Sequence, residues 1–412
     1  MWAAAMPDQS SPPAPPALGF REFVALVASM MAMTALSIDA MLPALPAIGA
    51  ALGIVDPNDR QWVVSAFMLG FGAAQILHGP LSDRFGRRPV LFASLAAGVM
   101  FNLVAAVAES FPVLVAARVA GGMATASSRV LAVSIVRDCF AGAQMARVMS
   151  LATIVFLAAP VLAPAIGQAI LLIAPWPWIF VFLAAVGAGV LGWAMLRLPE
   201  TLPRERRLPL SLGRLALGFR TVLTNRTAIG YTVAATLLQG SLFGFILSVQ
   251  QIFEQTFAAP ALLAPLFAAV AGTMAVAAFL NSRIVVGLGP RWVSHRALVA
   301  YLACAALHLA ISLAGHETLA SFAVLQAAMM GSFALASANF SALAMEPMGR
   351  LAGTASSVQG LIQTVGGALI GVMIGQSFDG STVPLYAGAT LCALTALGVI
   401  GAADRRLLFA RA

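Results

Sequence analysis

From Phe23 onward the chain alternates between apolar stretches and short polar breaks. A helix needs about 20 apolar residues to cross the hydrocarbon core of a bilayer. Twelve stretches meet that length: 23–50, 62–81, 90–108, 112–136, 148–173, 177–197, 228–252, 261–282, 294–314, 318–345, 352–377 and 384–403. The longest break, 198–227, is basic and falls near the midpoint, so the pattern predicts an all-α polytopic membrane protein. Six spans (21–197), a basic linker (198–227) and six more spans (228–412) are expected to form two six-helix bundles. Residues 1–20 carry Pro7, Pro12, Pro13, Pro15 and Pro16 and no basic residue ahead of an apolar core. They read as a disordered cytoplasmic tail rather than a signal peptide.

Composition sharpens the picture. Hydrophobic residues make up 61% of the chain and charged residues 9%, against about 25% charged in soluble domains. So few charges cannot cover a water-facing surface on 412 residues, which excludes a soluble enzyme or a secreted scaffold. The net charge of +8 does not imply a nucleic-acid partner, because all 23 basic residues are arginines placed mostly between the apolar runs. With the N-terminus cytoplasmic, 20 of the 23 fall on the cytoplasmic side, Arg60 alone falls outside, and Arg118 and Arg129 lie within spans. The positive-inside rule then puts both termini in the cytoplasm. Cys139, Cys304 and Cys392 form neither a disulfide framework nor a metal pattern. His78 and His308 have no ligating partner at helical spacing, and no carboxylate cluster marks a catalytic centre, so no cofactor or metal is expected.

The most specific local signal is Gly79-Pro-Leu81-Ser-Asp83-Arg84-Phe-Gly86-Arg87-Arg88-Pro89, where two glycines permit a tight turn and one carboxylate stands among three arginines. Ordinary positive-inside charge accounts for the arginines but not for Asp83. A related stretch, 281–291, follows span eight, and such internal repeats point to a transporter with its site between two halves. The Gly79 to Arg88 stretch resembles the loop signature of the major facilitator superfamily. Leu114 to Gly122, with Arg118, is similar to that superfamily's span-four pattern. Pro160 with Ala163-Pro164-Ala-Ile-Gly167 is similar to its antiporter pattern, although Ala163 stands where glycine is usual. Pro199-Glu200-Thr201-Leu202 closes span six as in many bacterial drug exporters. Ser37-Ile-Asp39, Val136-Arg137-Asp138 and Gly353 to Ser357 with Gly360 resemble the Bcr/CflA group of proton-coupled drug exporters, from which Pro177 departs where arginine is common. The resemblance implies the major facilitator fold, a monomer in the bacterial inner membrane, and export of small lipophilic compounds in exchange for protons by rocking of one bundle against the other.

Ionisable groups inside a span are costly, about 2.5–3.5 kcal/mol on insertion scales, and are functional by default. Asp39, Arg118 and Arg129 are the deep ones. Asp39 lies about 27 Å along a helix from Arg21, at a depth matching Arg118, so the two are expected as a proton-coupling pair in direct or water-bridged contact; a fixed ion pair tying spans one and four is the competing reading. Arg129 follows Arg118 by three helical turns, so both should share one face with Gly122 and Thr125 and line the cavity. An arginine snorkelling to the interface is the alternative for Arg129. Cavity candidates in the second half are Gln239, Gln326, Asn339, Gln359 and Gln363, with Phe243, Phe245 and Phe340 as apolar walls; each equally fits a packing role. With one deep acid against two arginines, the interior favours neutral or anionic compounds over permanent cations if Arg129 faces inward. A cytoplasmic gate is expected from Gly79, Asp83, Arg84, Gly86, Arg87, Arg88 and Asp138, with Asp83 docking on the start of span eleven and Asp138 holding Arg84 or Arg87. A narrow-substrate metabolite exporter or symporter, or a non-transporting membrane sensor, are the rival functions.

Overall fold

The computed structural model describes residues 18–209 and 212–403, and these are helical with no strand among them. Twelve helices are long and apolar enough to cross a membrane. The first six are Phe20–Ala51, Pro57–Phe85, Arg87–Ala106, Phe111–Cys139, Arg147–Ile173 and Pro177–Arg197. The second six are Arg226–Thr256, Pro260–Leu288, Pro290–Leu313, Leu319–Met348, Ala355–Gln376 and Val383–Ala403. A helix satisfies every backbone amide within its own segment, the requirement that hydrocarbon imposes on a spanning chain. Between the two bundles the basic linker carries a short helix of its own, Leu212–Thr224.

Departures from regular helix fall where the sequence provides for them. Span one ends its first segment at Asp39, passes through a 3-10 turn at Leu42–Ala44 and resumes at Leu45–Ala51, with Pro43 and Pro46 in the first turns of the two pieces. Proline has no amide hydrogen to donate but fits a helix start, so the break follows from the two prolines. Span five keeps Pro160 and Pro164 inside its helix. Span eleven is interrupted by a π-helical turn at Ile362–Gly366, an irregularity frequent at functional sites.

The apolar cores show how the halves meet. At the end that carries Asn58, one continuous core joins Ala40, Leu42, Leu45 and Val63 of the first half to Phe245, Leu247, Phe253 and Ile374 of the second. At the arginine-rich end no such core joins the halves, although span two still touches span eleven there. There Phe23, Leu91, Leu131 and Ile135 form a core within the first half. Val222 of the linker helix packs with Ala228, Met348 and Val358 in another within the second. A continuous core therefore joins the bundles at one end only.

Candidate functional site

Where no core joins the halves, a cavity of about 550 Å³ extends from the arginine-rich end into the protein. Span two contributes Gln75, Gly79 and Asp83, span four Arg129 and Arg137, and span eleven Gln359, Gly360 and Gln363. The Arg129 side chain is exposed in this cavity, which decides its direction in favour of the interior. Gln75 reaches across the halves, its Nε2 donating to Thr364 Oγ1 at 2.9 Å. Gln363 Nε2 donates to Ser341 Oγ at 3.4 Å. Gln359 is 5% exposed, and its Nε2 has no hydrogen-bond partner.

Asp39 lies elsewhere. It is 4% exposed and lines a separate space of about 100 Å³ together with Pro160 of span five, Leu242, Phe245 and Ile246 of span seven, and Phe267 and Val270 of span eight. One of its carboxylate oxygens, Oδ1, is buried with no partner. Directly after it, the Ala40 carbonyl abuts Gly167 so closely that any Cβ there would overlap it. The antiporter-like stretch thus fixes the backbone beside Asp39.

No direct hydrogen bond or ion pair joins Asp39 and Arg118. Arg118, 2% exposed, instead donates from Nε to the Val63 carbonyl and from Nη2 to the Ser37 carbonyl, each at 2.7 Å. Its guanidinium also stands over the Phe67 ring at 4.5 Å and the Phe180 ring at 5.7 Å. The backbone carbonyls of spans one and two reach it first, so its charge is satisfied without a carboxylate.

Seven other residues expected in the cavity lie outside its lining. Thr125 is buried and donates to the Gly121 carbonyl of its own helix at 2.8 Å. Asn339 donates to Asn281 Oδ1 at 2.8 Å, tying span ten to span eight. Gln239 and Phe243 pack against Gly367 and Gly371 on the close-packed face between spans seven and eleven. Of the expected apolar walls, Phe245 lines the space around Asp39. Phe340 is core, tilted against Tyr231 with ring centroids 5.7 Å apart. Gln326 accepts from the Tyr386 hydroxyl at 3.1 Å inside the second bundle.

At the arginine-rich loop, Arg87 is the centre of the charge cluster. It is 3% exposed and donates from Nε to Asp138 at 2.8 Å and from Nη1 to Asp83 at 2.6 Å and Ser82 Oγ at 2.7 Å. Asp138 therefore holds Arg87, one of its two expected partners. Asp83 lines the cavity, and the side chains on which it was expected to dock, through 354 just before span eleven, lie outside the described residues. Arg84 lies over Phe85, and Arg88 donates to the Met195 carbonyl at 2.7 Å. Gly86 has φ 102°, a left-handed conformation that favours glycine. The carboxylate of Glu200 approaches there, accepting from Arg87 N at 2.9 Å and Arg88 N at 3.2 Å. It caps the exposed amides that open span three, a role that the sequence left unassigned.

The opposite end is held by amides that the sequence also did not single out. Asn58 Nδ2 donates to the Gln376 carbonyl at 3.1 Å and the Phe378 carbonyl at 2.9 Å, and Gln376 Nε2 returns a bond to the Asn58 carbonyl at 2.8 Å. Gln251 Nε2 donates to Asn58 Oδ1 at 2.7 Å, and Gln61 Nε2 to the Gly375 carbonyl at 2.9 Å. Arg60 stands 3.7 Å from Glu254. The one available signal was polarity at the edge of spans two, seven and eleven. No group of three or more His, Cys, Asp or Glu side chains poised to hold a metal occurs among the described residues.

Two helical bundles joined by a core at one end, with a cavity between them at the other, are the architecture of an alternating-access transporter. Residues 26–371 match the sequence profile of the Major Facilitator Superfamily. The chain belongs to that superfamily. It is an integral membrane protein of a transporter family, not an enzyme. Among its relatives, a bicyclomycin resistance protein homolog of Haemophilus influenzae is 29% identical over 84% of this chain and 87% of its own length. Multidrug resistance protein D of Escherichia coli is 33% identical over 49% of this chain and 50% of its own. Among solved structures, the human organic anion transporter MFSD10 (TETRAN) superposes with a TM-score of 0.67 at 21% identity, covering 93% of this chain and 98% of its own. The xylose transporter XylE of Escherichia coli, in a partially occluded inward-open conformation, gives 0.74 at 11% identity, covering 93% of this chain and 97% of its own. These likenesses carry the fold.

Proposed function

We propose that the protein is a proton-coupled antiporter that exports small lipophilic, drug-like compounds from the cytoplasm of a bacterium. It would act as a monomer in the inner membrane, with residues 21–197 and 228–412 rocking against each other. The observation that carries this reading is Asp39, a carboxylate buried between the bundles with an unpartnered oxygen. A charge there is poorly solvated, so a proton on Asp39 favours the state in which its site is closed. Its release would be coupled to opening of the bundles. Taking the arginine-rich end as cytoplasmic, with both termini on that side, the cavity is open inward and the Asn58 end is shut.

In the proposed cycle substrate entering the 550 Å³ cavity from the cytoplasm displaces the proton that Asp39 holds while its site is closed. Protonation from outside and substrate binding from inside exclude each other by reciprocal linkage. Arg118, anchored to the Ser37 carbonyl two residues before Asp39, positions the carboxylate. The relatives named for resistance to bicyclomycin and to multiple drugs support the drug-like substrate class. The test is the Asp39→Asn variant in proteoliposomes with an imposed pH gradient. Uphill export should fall by at least about a hundredfold, within the range of losses for an essential proton-transfer group, while substrate binding persists and substrate-induced proton release disappears. Uphill export at the wild-type rate would overturn the assignment.

A further inference from the structure

The cavity between the bundles is asymmetric in charge. Arg129 and Arg137 both line it, both side chains are exposed within it, and neither makes a hydrogen bond or ion pair among the described residues. The one acid in the lining, Asp83, is already bonded to Arg87 at 2.6 Å. On span eleven, the Gln359 amide is 5% exposed with its Nε2 unpartnered. A buried donor without an acceptor is costly to the free protein and is relieved by a ligand that supplies one. Both features call for the same chemistry, a group that accepts hydrogen bonds and carries negative charge. Val130 and Val133 line the same space and give an apolar body somewhere to rest. A volume of about 550 Å³ suits a small organic molecule.

We propose that this cavity selects amphiphilic organic anions, carboxylates or sulfonates on an apolar body, with the charged group held by the Arg129 guanidinium and the Gln359 amide. Guanidinium pairs such groups through two parallel hydrogen bonds, and Arg129 and Arg137 together outweigh the single net negative charge left by Asp83 and Asp138 sharing Arg87. The proposal rests on this cavity being the substrate site of the export reading above and narrows what that site takes. Anionic lipid headgroups share the chemistry, but the cavity lies between the bundles and not on the lipid-facing surface, which favours a soluble anion.

The test is equilibrium binding without a pH gradient, on the full chain in phosphatidylcholine nanodiscs. Three matched probes are compared: naphthylacetate, naphthylacetamide and naphthylmethyl-trimethylammonium. The wild type should bind the carboxylate at least about tenfold tighter than the amide and bind the ammonium most weakly, as one charge-assisted contact requires. Arg129→Gln should remove the difference between carboxylate and amide, while Arg129→Lys retains part of it and shows that charge rather than folding is being read. Gln359→Leu should weaken the carboxylate more than the ammonium. Equal affinities for the three probes, tighter binding of the ammonium, or no measurable binding of the carboxylate would each overturn the proposal, as would loss of carboxylate binding once phosphatidylglycerol is included. Failure of uphill export with the anion preference intact counts against proton coupling alone.

Discussion

Arg118 shows how one residue can be deep, charged and not an ion pair. Two carbonyls at 2.7 Å and two aromatic faces surround it, so spans one, two and four meet on a single guanidinium. The opposite case is Glu317, in the loop between spans nine and ten. The sequence offers His308 no carboxylate at helical spacing, yet Glu317 Oε1 stands 2.6 Å from His308 Nε2 and its other oxygen accepts from Ser312 and Thr382. Tyr386 stacks on the same imidazole with ring centroids 3.5 Å apart. Burial alone would raise the Glu317 carboxyl, but the contacts from His308, Ser312 and Thr382 outweigh it and hold the group below the usual glutamate range. Glu317→Ala strands two buried partners, His308 and Thr382, and a half-buried one, Ser312, and should lower stability by about 1–3 kcal/mol at neutral pH. A depressed folded value means that this stabilisation is complete above the unfolded value, about 4.3, and is lost as pH falls through the folded one. The Tm gap between wild type and variant should therefore be widest near neutrality and close in acid; a gap independent of pH would count against the assignment.

At the scale of elements, the loop between spans two and three is a joint rather than a stripe of positive charge. Gly86 turns with positive φ, Arg87 goes inward to Asp83 and Asp138, and Glu200 arrives from the end of span six to cap span three. Motif spacing made the glycines and Asp83 legible in the sequence. Glu200 was not, because its partner amides lie 113 residues away in the chain. Removing it in Glu200→Ala exposes two amides of a helix start and the favourable end of a helix dipole, at a cost of about 0.5–2 kcal/mol. A lowered Tm with substrate affinity unchanged is expected; an unchanged Tm would remove the capping role. Similar reasoning explains why Thr125, Gln239 and Asn339 pack between helices rather than line the cavity. Helical spacing assigns a face, but neighbouring helices decide whether that face meets water or another helix.

Across the whole molecule, the end opposite the arginines is closed by neutral amides together with a continuous apolar core. Asn58 alone makes three side-chain bonds to the second half. At about 0.5–1.5 kcal/mol each, their loss in Asn58→Ala should shift the population towards opening at that end by at least about tenfold, since 1.4 kcal/mol is a factor of ten. Spin-label distances between the ends of spans two and eleven should then gain a longer component. An unchanged distribution would show that the apolar core closes that end without the amides.

The twelve spans, the signature loop and the three deep ionisable residues were all determined by the sequence. These depend on local quantities: the length of an apolar run, the position of a proline, the spacing of glycines and charges. Only the tertiary structure decided that Asp39 and Arg118 share no direct hydrogen bond or ion pair, that Arg129 turns into the cavity, and that Gln359 faces it with a free donor. It also decided which end is shut. Those outcomes depend on which backbone carbonyl or side chain from a distant span reaches a group first, and no periodicity within one helix encodes that competition.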